Sequence, residues 1–150
     1  MTTAPAPTRP IVVVGVDGSE SSFEALRWAA HYVHVAGGSL QAVISWHYPV
    51  DYGYAAVPIA DMDLAGWAHE AVQAAIVEVE KEFPGLSISE RVLEGPPASV
   101  LVQAADGADL LVVGSRGHGG FAGVLLGSVS THVVHHAPCP VVVVRQLPAS

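Results

Sequence analysis

The chain has 150 residues, of which 51% are hydrophobic and 13% charged, and these proportions favour one compact domain over a disordered or coiled-coil protein. Its formal net charge of -8 and its single lysine exclude a basic surface for nucleic acid or anionic membranes, because such partners require cations that displace counterions. The single cysteine, Cys139, excludes an internal disulfide and a cysteine-based zinc site; between two prolines it is expected to be a small buried filler.

The first ten residues, "MTTAPAPTRP", contain no apolar run of signal-peptide length. We therefore expect residues 1–9 to form a disordered leader, residues 10–147 to form a single domain, and the protein to be cytoplasmic.

Five short runs rich in β-branched residues predict strands. The first, fourth and fifth are almost continuously apolar, which is typical of strands buried on both faces of a parallel sheet. The runs are "IVVVGV" from Ile11, "LQAVISW" from Leu40, "LSISERVLE" from Leu86, "DLLVVG" from Asp109 and "VVVVR" from Val141.

Segments with helical spacing of apolar residues separate these runs, and the alternation predicts a three-layer α/β sandwich. In the first helix we predict a capping box of Ser21 and Glu24, and an end at Gly37-Gly38. The boundaries predicted for the other helices are Pro84-Gly85 after the second, Pro96-Pro97 before the third, and Ser128 and Pro138 around the last.

The connection after the second strand, "HYPVDYGYAAVPIAD" from His47 to Asp61, is longer than usual in such folds. Because it leaves the carboxyl edge of the predicted sheet, we expect it to fold over a ligand.

Six glycines lie in the segment from Gly114 to Gly127, which begins at the end of the fourth predicted strand. Glycine lets backbone N–H groups approach an anion, and the start of a helix at Ser128 favours negative charge. The hydroxyls of Ser128 and Ser130 and the guanidinium of Arg116 can add donors. The segment therefore predicts a phosphate cradle; the alternative is a flexible surface loop in which Ser128 is an ordinary N-cap.

The established phosphate-binding patterns do not fit this segment. The chain has no Gly-Lys-Ser or Gly-Lys-Thr, and "GVDGSESS" after the first strand lacks the three glycines of the dinucleotide fingerprint. Nucleophile-elbow, "SGG.DS" and "HIGH" elements are also missing from the sequence, which disfavours a serine hydrolase or a nucleotidyl transferase.

Asp17 ends the first predicted strand within "VDGS". If the first and fourth strands are neighbours, its carboxylate shares a crevice with Gly114 and can accept a ribose hydroxyl or help to hold a metal. The alternative is that Asp17 accepts backbone N–H groups at the start of the first helix, and both roles can coexist.

The chain resembles the universal stress proteins in "IVVVGVDGSESSFEALRWAA", "ADLLVVGSRGHGGFAGVLLGS" and "HAPCPVVVV". ATP-binding members of that family carry a glycine, two residues, a glycine, nine residues, and then glycine with serine or threonine; Gly114, Gly117 and Gly127-Ser128 match this pattern without a gap. The resemblance thus implies the ATP-binding branch of the family.

This resemblance implies an adenine nucleotide alpha hydrolase-like fold whose five-stranded parallel sheet has the order 3-2-1-4-5. It implies adenine near Val16 and Ser45, ribose near Asp17, and Mg²⁺ held by the phosphates of ATP rather than by the protein. His118 stands where relatives carry another basic side chain, which lowers the charge at the γ-phosphate at neutral pH. The predicted nucleotide-binding residues are Val16, Asp17, Ser45, Gly114, Arg116, Gly117, His118, Gly127, Ser128, Val129 and Ser130.

The function implied is a nucleotide-dependent regulator or sensor in the stress response. The alternatives are a slow ATPase or phosphotransferase and a sensor of cyclic AMP. No catalytic residue is assigned, because the sequence offers no dedicated base for water and no lysine at the phosphates.

Two further patterns lie near the end of the chain. His132 and His136 are four residues apart, but the glutamate of a metalloprotease helix is missing, so we predict surface or interface histidines rather than a metal site. The last strand is an apolar edge that invites pairing with a second copy, as the family resemblance also implies. The predicted homodimer contact consists of Val141, Val142, Val143 and Val144.

Overall fold

The computed structural model describes residues 9–48, 62–116 and 126–145, in which strands and helices alternate. Residues 1–8 of the predicted leader lie outside the described residues. No helix in these three ranges combines the length and apolar character needed to cross a bilayer. The strands are β1 (Ile11–Gly15), β2 (Ser39–Trp46), β3 (Ile88–Glu94), β4 (Leu110–Gly114) and β5 (Val141–Val144). The helices are α1 (Glu20–Ala36), α2 (Leu64–Glu82), α3 (Pro97–Ala104) and α4 (Ser128–His136).

The five strands form one parallel sheet in the order β3-β2-β1-β4-β5, which confirms the predicted topology. The central strand β1 pairs with β2 on one side and with β4 on the other, and Val14 lies opposite both Ala42 and Val112. All three strands therefore end at the same edge of the sheet, where successive connections diverge. In open α/β sheets this edge is the usual place for a ligand.

Helices cover both faces of the sheet, as the predicted three-layer sandwich requires. Val12 and Val14 of β1 pack with residues of α1 and α2, whereas Val13 packs with residues of α3 and α4. This alternation follows from the period of two along a strand. The residues of β5 pack against the cores on both faces of the sheet, but they are only half-buried. The reason is its position at the outside of the described sheet.

The start of α1 differs from the predicted capping box. Ser19 is the N-cap, and its hydroxyl accepts a hydrogen bond from the N–H of Ser22 at 3.2 Å. Ser21 already lies inside the helix with 6% of its surface exposed, and Glu24 contacts Arg27 at 3.2 Å rather than the helix terminus. The chain turns at the preceding glycine, whose φ of 84° starts the helix two residues earlier than predicted.

Gly114 is required by the packing of α1 against the end of β4. A Cβ at this position would collide with the side chain of Ser21 and would lie 2.7 Å from its carbonyl oxygen. The Ser21 hydroxyl also accepts a hydrogen bond from the N–H of Arg116 at 3.2 Å. The absence of a side chain at Gly114 therefore lets the first turn of α1 approach the carboxyl edge.

Cys139 packs at the margin of the core beneath α3 and α4, where it is half-buried. Burial, and then the negative charge of Asp109, raise the pKa of its thiol. A raised pKa reduces the thiolate fraction at neutral pH, so this environment suits a structural cysteine rather than a nucleophile.

Two glycines that end neighbouring strands provide a matched test of the packing at Gly114. Gly114→Ala should lower the free energy of unfolding by about 2–3 kcal/mol, because the added methyl meets backbone. Gly15→Ala should cost about 1 kcal/mol, because its methyl meets the flexible end of Leu101, 2.8 Å away. Urea unfolding of both variants measures the difference, and equal losses would contradict this account of the α1 contact.

Candidate functional site

A cleft of about 470 Å³ opens at the carboxyl edge of the sheet. Its floor is formed by the ends of β1, β2 and β4, and its walls come from α2, α3 and α4. This volume lies within the roughly 300–1,000 Å³ that is typical of small-molecule sites. The lining residues are Gly15, Val16, Asp17, Ser22, Val43, Ile44, Ser45, His47, Trp67, Pro97, Leu101, Val113, Gly114, Arg116, Leu126, Gly127, Ser128, Val129 and Ser130.

Most of the residues predicted to bind a nucleotide line this one cleft. Gly117 and His118 lie outside the described residues, as does the part of the expected lid from residue 49 to 61. The predicted residues that the structure brings together are Val16, Asp17, Ser45, Gly114, Arg116, Gly127, Ser128, Val129 and Ser130.

Asp17 lies at the centre of the cleft floor, in a hydrogen-bonded turn between β1 and α1. Its Oδ1 accepts the N–H of Ser19 at 2.8 Å, and its own N–H donates to Ser22 Oγ at 3.1 Å. Ser22 Oγ donates in turn to the carbonyl of Ser19 at 3.0 Å. The predicted role of Asp17 as an N–H acceptor at the helix start is therefore confirmed. The same bonds hold Asp17 at a fixed position in the cleft lining.

The start of α4 forms one end of the cleft. Gly127 is the N-cap, and because it has no side chain it accepts no N–H of the first turn through one. The first hydrogen bond of the helix runs from the Thr131 N–H to the Gly127 carbonyl at 3.0 Å. The N–H groups of Ser128, Val129 and Ser130 consequently have no acceptor within the helix. Together with the helix dipole, these N–H groups suit an anion, and Arg116 is part of the same cleft lining.

The hydroxyl of Ser130, which was predicted to donate to a phosphate, is hydrogen-bonded to main-chain carbonyls. The residue is 3% exposed, and its Oγ lies 3.1 Å from the Gly127 carbonyl oxygen and 3.3 Å from that of Ser115. A buried hydroxyl needs a partner, and here its single hydrogen serves main-chain acceptors. Its hydroxyl therefore fastens the start of α4 to the end of β4, whereas Ser128 is exposed to the cleft.

The opposite end of the cleft is lined by residues from the end of β2 and the first turn of α2. The lining here includes Ile44 and Ser45 of β2, His47 just after that strand, and Trp67 of α2, which packs against β2. Sequence reasoning missed Trp67, although its position next to the buried residue Ala68 offered a signal: it is a large aromatic outside the apolar stripe of its helix. Since β1 lies between β2 and β4, Asp17 separates this aromatic end from the anion-binding end.

The described residues contain no group of three or more His, Cys, Asp or Glu side chains that could hold a metal ion. The rings of His132 and His136 lie 4.4 Å apart on α4, as their spacing requires, and both residues are exposed. They are surface histidines, in agreement with the prediction.

Substitution of Asp17 tests the turn that carries it. Asp17→Ala should destabilise the protein by about 1 kcal/mol, because the Ser19 N–H loses its acceptor. Asp17→Asn keeps an oxygen at that position and should retain most of the stability. Urea unfolding at neutral pH compares the two variants, and an equal loss in both would mean that the negative charge, rather than the hydrogen bond, supports the turn.

Several solved structures share this fold. The universal stress protein UspA from Lactobacillus plantarum has a TM-score of 0.75 at 21% identity, with 93% of this chain and 100% of that chain covered. A universal stress protein in complex with cAMP has a TM-score of 0.67 at 31% identity, with 92% of this chain and 98% of that chain covered. A universal stress protein from Archaeoglobus fulgidus in complex with dAMP has a TM-score of 0.63 at 28% identity, with 89% of this chain and 95% of that chain covered.

Curated sequences give the same relationship. A universal stress protein from Mycobacterium tuberculosis is 32% identical over an alignment 153 residues long, which covers 95% of this chain and 47% of the relative. One from Mycobacterium bovis is 36% identical over 145 residues, which cover 95% of this chain and 48% of the relative. The chain thus spans about half the length of these curated relatives. The profile of the universal stress protein family matches residues 8–145, and this chain therefore belongs to that family.

Proposed function

We propose that this chain binds an adenine nucleotide, namely ATP with Mg²⁺, in the cleft at the carboxyl edge of the sheet. In this proposal it acts in the cytoplasm as a nucleotide-dependent regulator of a stress response. The observation that carries the proposal is the convergence of Asp17, Arg116 and the start of α4 on one cavity. The solved family members that hold cAMP and dAMP support an adenine nucleotide as the class of ligand.

The order of the strands suggests how the nucleotide lies. Phosphates would occupy the end formed by α4 and Arg116, where backbone N–H groups and a guanidinium supply positive potential. The ribose would lie over Asp17 at the centre, and the base would lie against the ends of β1 and β2, near Val16 and Ser45. Mg²⁺ would be bound through the phosphate oxygens, because Mg²⁺ favours phosphate and water ligands.

Local groups must overcome an unfavourable overall charge in this proposal. The chain carries a formal net charge of -8, which repels a polyanion at long range. Within the described lining of the cleft, Arg116 is the one lysine or arginine side chain. Rapid phosphoryl transfer requires that the charge of the transition state be neutralised. Because this lining supplies few cations for the phosphates, we propose that the cleft binds the nucleotide rather than rapidly transferring its phosphoryl group.

Cyclic AMP is the second candidate ligand, because a solved family member 31% identical to this chain holds it. Calorimetric titration with ATP, ADP, AMP and cyclic AMP, each with and without Mg²⁺, separates the two candidates. Tightest binding of ATP, strengthened by Mg²⁺, supports the proposal, and tightest binding of cyclic AMP supports the sensor alternative. If none of the four nucleotides binds, the proposed function is wrong.

Arg116 offers a test of the phosphate end. Arg116→Gln should weaken ATP binding by about 5- to 20-fold and AMP binding by much less, because a guanidinium contact to the outer phosphates is lost. Arg91→Gln is the matched control, since Arg91 is an exposed arginine on β3 outside the cleft. Calorimetry that shows the same loss for ATP in both variants would point to a general charge effect instead.

We also propose that two copies pair through β5 to form the homodimer. β5 is one of the two edge strands of the described sheet, and its four valines remain half-buried. The carbonyls of Pro140 and Val144 accept the N–H groups of Leu111 in β4 and of Ser115 just after it, both at 3.0 Å. Since backbone groups alternate in direction along a strand, those of Val143 face the open edge. An apolar edge of this kind is stabilised when a second copy covers it.

Val143→Pro removes an edge donor without removing a bond to β4, and should convert the dimer into a monomer. Val143→Ala keeps the N–H and should remain dimeric. Sedimentation at micromolar concentration reports both results. A wild-type monomer, or a dimer that survives Val143→Pro, would contradict pairing through this edge.

A further inference from the structure

Trp67 is an unusually exposed tryptophan at the mouth of the cleft, with 54% of its surface accessible. The other two tryptophans each pack against a tyrosine: Trp28 stacks on Tyr32, and Trp46 meets Tyr48 edge to face, with centroids 5.5 Å apart in both pairs. Within the described ranges, the Trp67 ring packs on no other aromatic ring. The protein thus leaves a large aromatic face open beside a cavity.

The backbone that carries this indole is fixed by the first turn of α2. Asp63 is the N-cap, and its Oδ1 accepts the N–H of Gly66 at 2.9 Å. The carbonyl of Asp63 accepts the N–H of Trp67 itself at 3.0 Å. A Cβ at Gly66 would lie 2.7 Å from the Asp63 carboxyl carbon, so this turn is closely packed. Trp67 therefore stands on an ordered element rather than on a loose connection.

The position of Trp67 in the cleft indicates what it contacts. Anion-binding groups lie at the α4 end of the cleft, whereas Trp67 comes from α2, the helix that packs against β2 and β3. A ligand with an anionic part and a flat aromatic part would place the aromatic part here. Stacking of a nucleobase on an aromatic side chain contributes strongly to binding and tolerates any base, because every base has a π-face.

We infer that Trp67 stacks on the base of the bound nucleotide and is the residue through which the cleft distinguishes a nucleotide from a bare polyphosphate. The inference rests on the proposed function, since it assigns a wall of the same site. It adds a contact made by a helix to the strand-end contacts of the base that the family resemblance implied.

The test compares wild type with Trp67→Ala and Trp67→Phe, and uses Trp28→Phe as the matched control, because Trp28 lies on α1 outside the cleft lining. Each protein is titrated with Mg-ATP and with inorganic tripolyphosphate by calorimetry, and intrinsic tryptophan emission is recorded during the Mg-ATP titration. Circular dichroism verifies that each variant is folded, and Trp67→Phe retains a ring at the position if Trp67→Ala does not fold.

Trp67→Ala should weaken Mg-ATP binding by about 5- to 50-fold while tripolyphosphate binding changes by less than about 2-fold. Mg-ATP should change the emission of wild type and of Trp28→Phe, and most of that change should be missing in Trp67→Phe. Unchanged ATP affinity in Trp67→Ala, or an equal loss for ATP and tripolyphosphate, overturns the inference while the proposed function stands. If wild type binds no adenine nucleotide, both are wrong.

Discussion

The structure depends on one constraint, the parallel pairing of β1 with β2 on one side and β4 on the other. Because the strands are parallel and in register, their carboxyl ends meet, and the connections that follow β1, β2 and β4 all begin beside one another. Residues far apart in the chain, such as Asp17 and Ser128, thereby become neighbours around one cleft. The buried valines of β1 that hold this pairing in place therefore determine the site as well as the core.

Serine hydroxyls form hydrogen bonds with main-chain groups around the cleft. Ser22 binds the main chain of Asp17 and Ser19, Ser21 binds the N–H of Arg116, and Ser130 binds the carbonyls of Ser115 and Gly127. Each hydroxyl joins the end of a strand to the first turn of a helix. These bonds fix the main chain where a ligand would need ordered N–H groups, and thereby reduce the entropy that binding must remove.

Periodic apolar patterns were sufficient to predict the alternation of strands and helices in a three-layer sandwich, whereas the order of the strands was implied by the family resemblance. The start of α1 was not predicted correctly, because several adjacent serines can each act as a cap, and the choice depends on the turn at Gly18. Gly114 was predicted to belong to a phosphate cradle, which stays a prediction, and the structure adds that its missing side chain makes room for Ser21. Trp67 was missed because helical periodicity identifies residues that face the core and says little about an aromatic residue that faces a cavity. The pattern marks Trp67 only as an aromatic residue outside the apolar stripe of α2, and its neighbours come from elements distant in sequence.

The alternating valines of β5 have a consequence for how the protein would fold. Val141 and Val143 pack in the core beneath α3 and α4, and Val142 and Val144 pack in the core beneath α1 and α2. If a second copy paired along this strand, both hydrophobic cores would continue across the subunit boundary. Neither core would then be fully covered within a single chain. Under the proposed pairing, folding and association become linked, and the thermal midpoint rises with protein concentration.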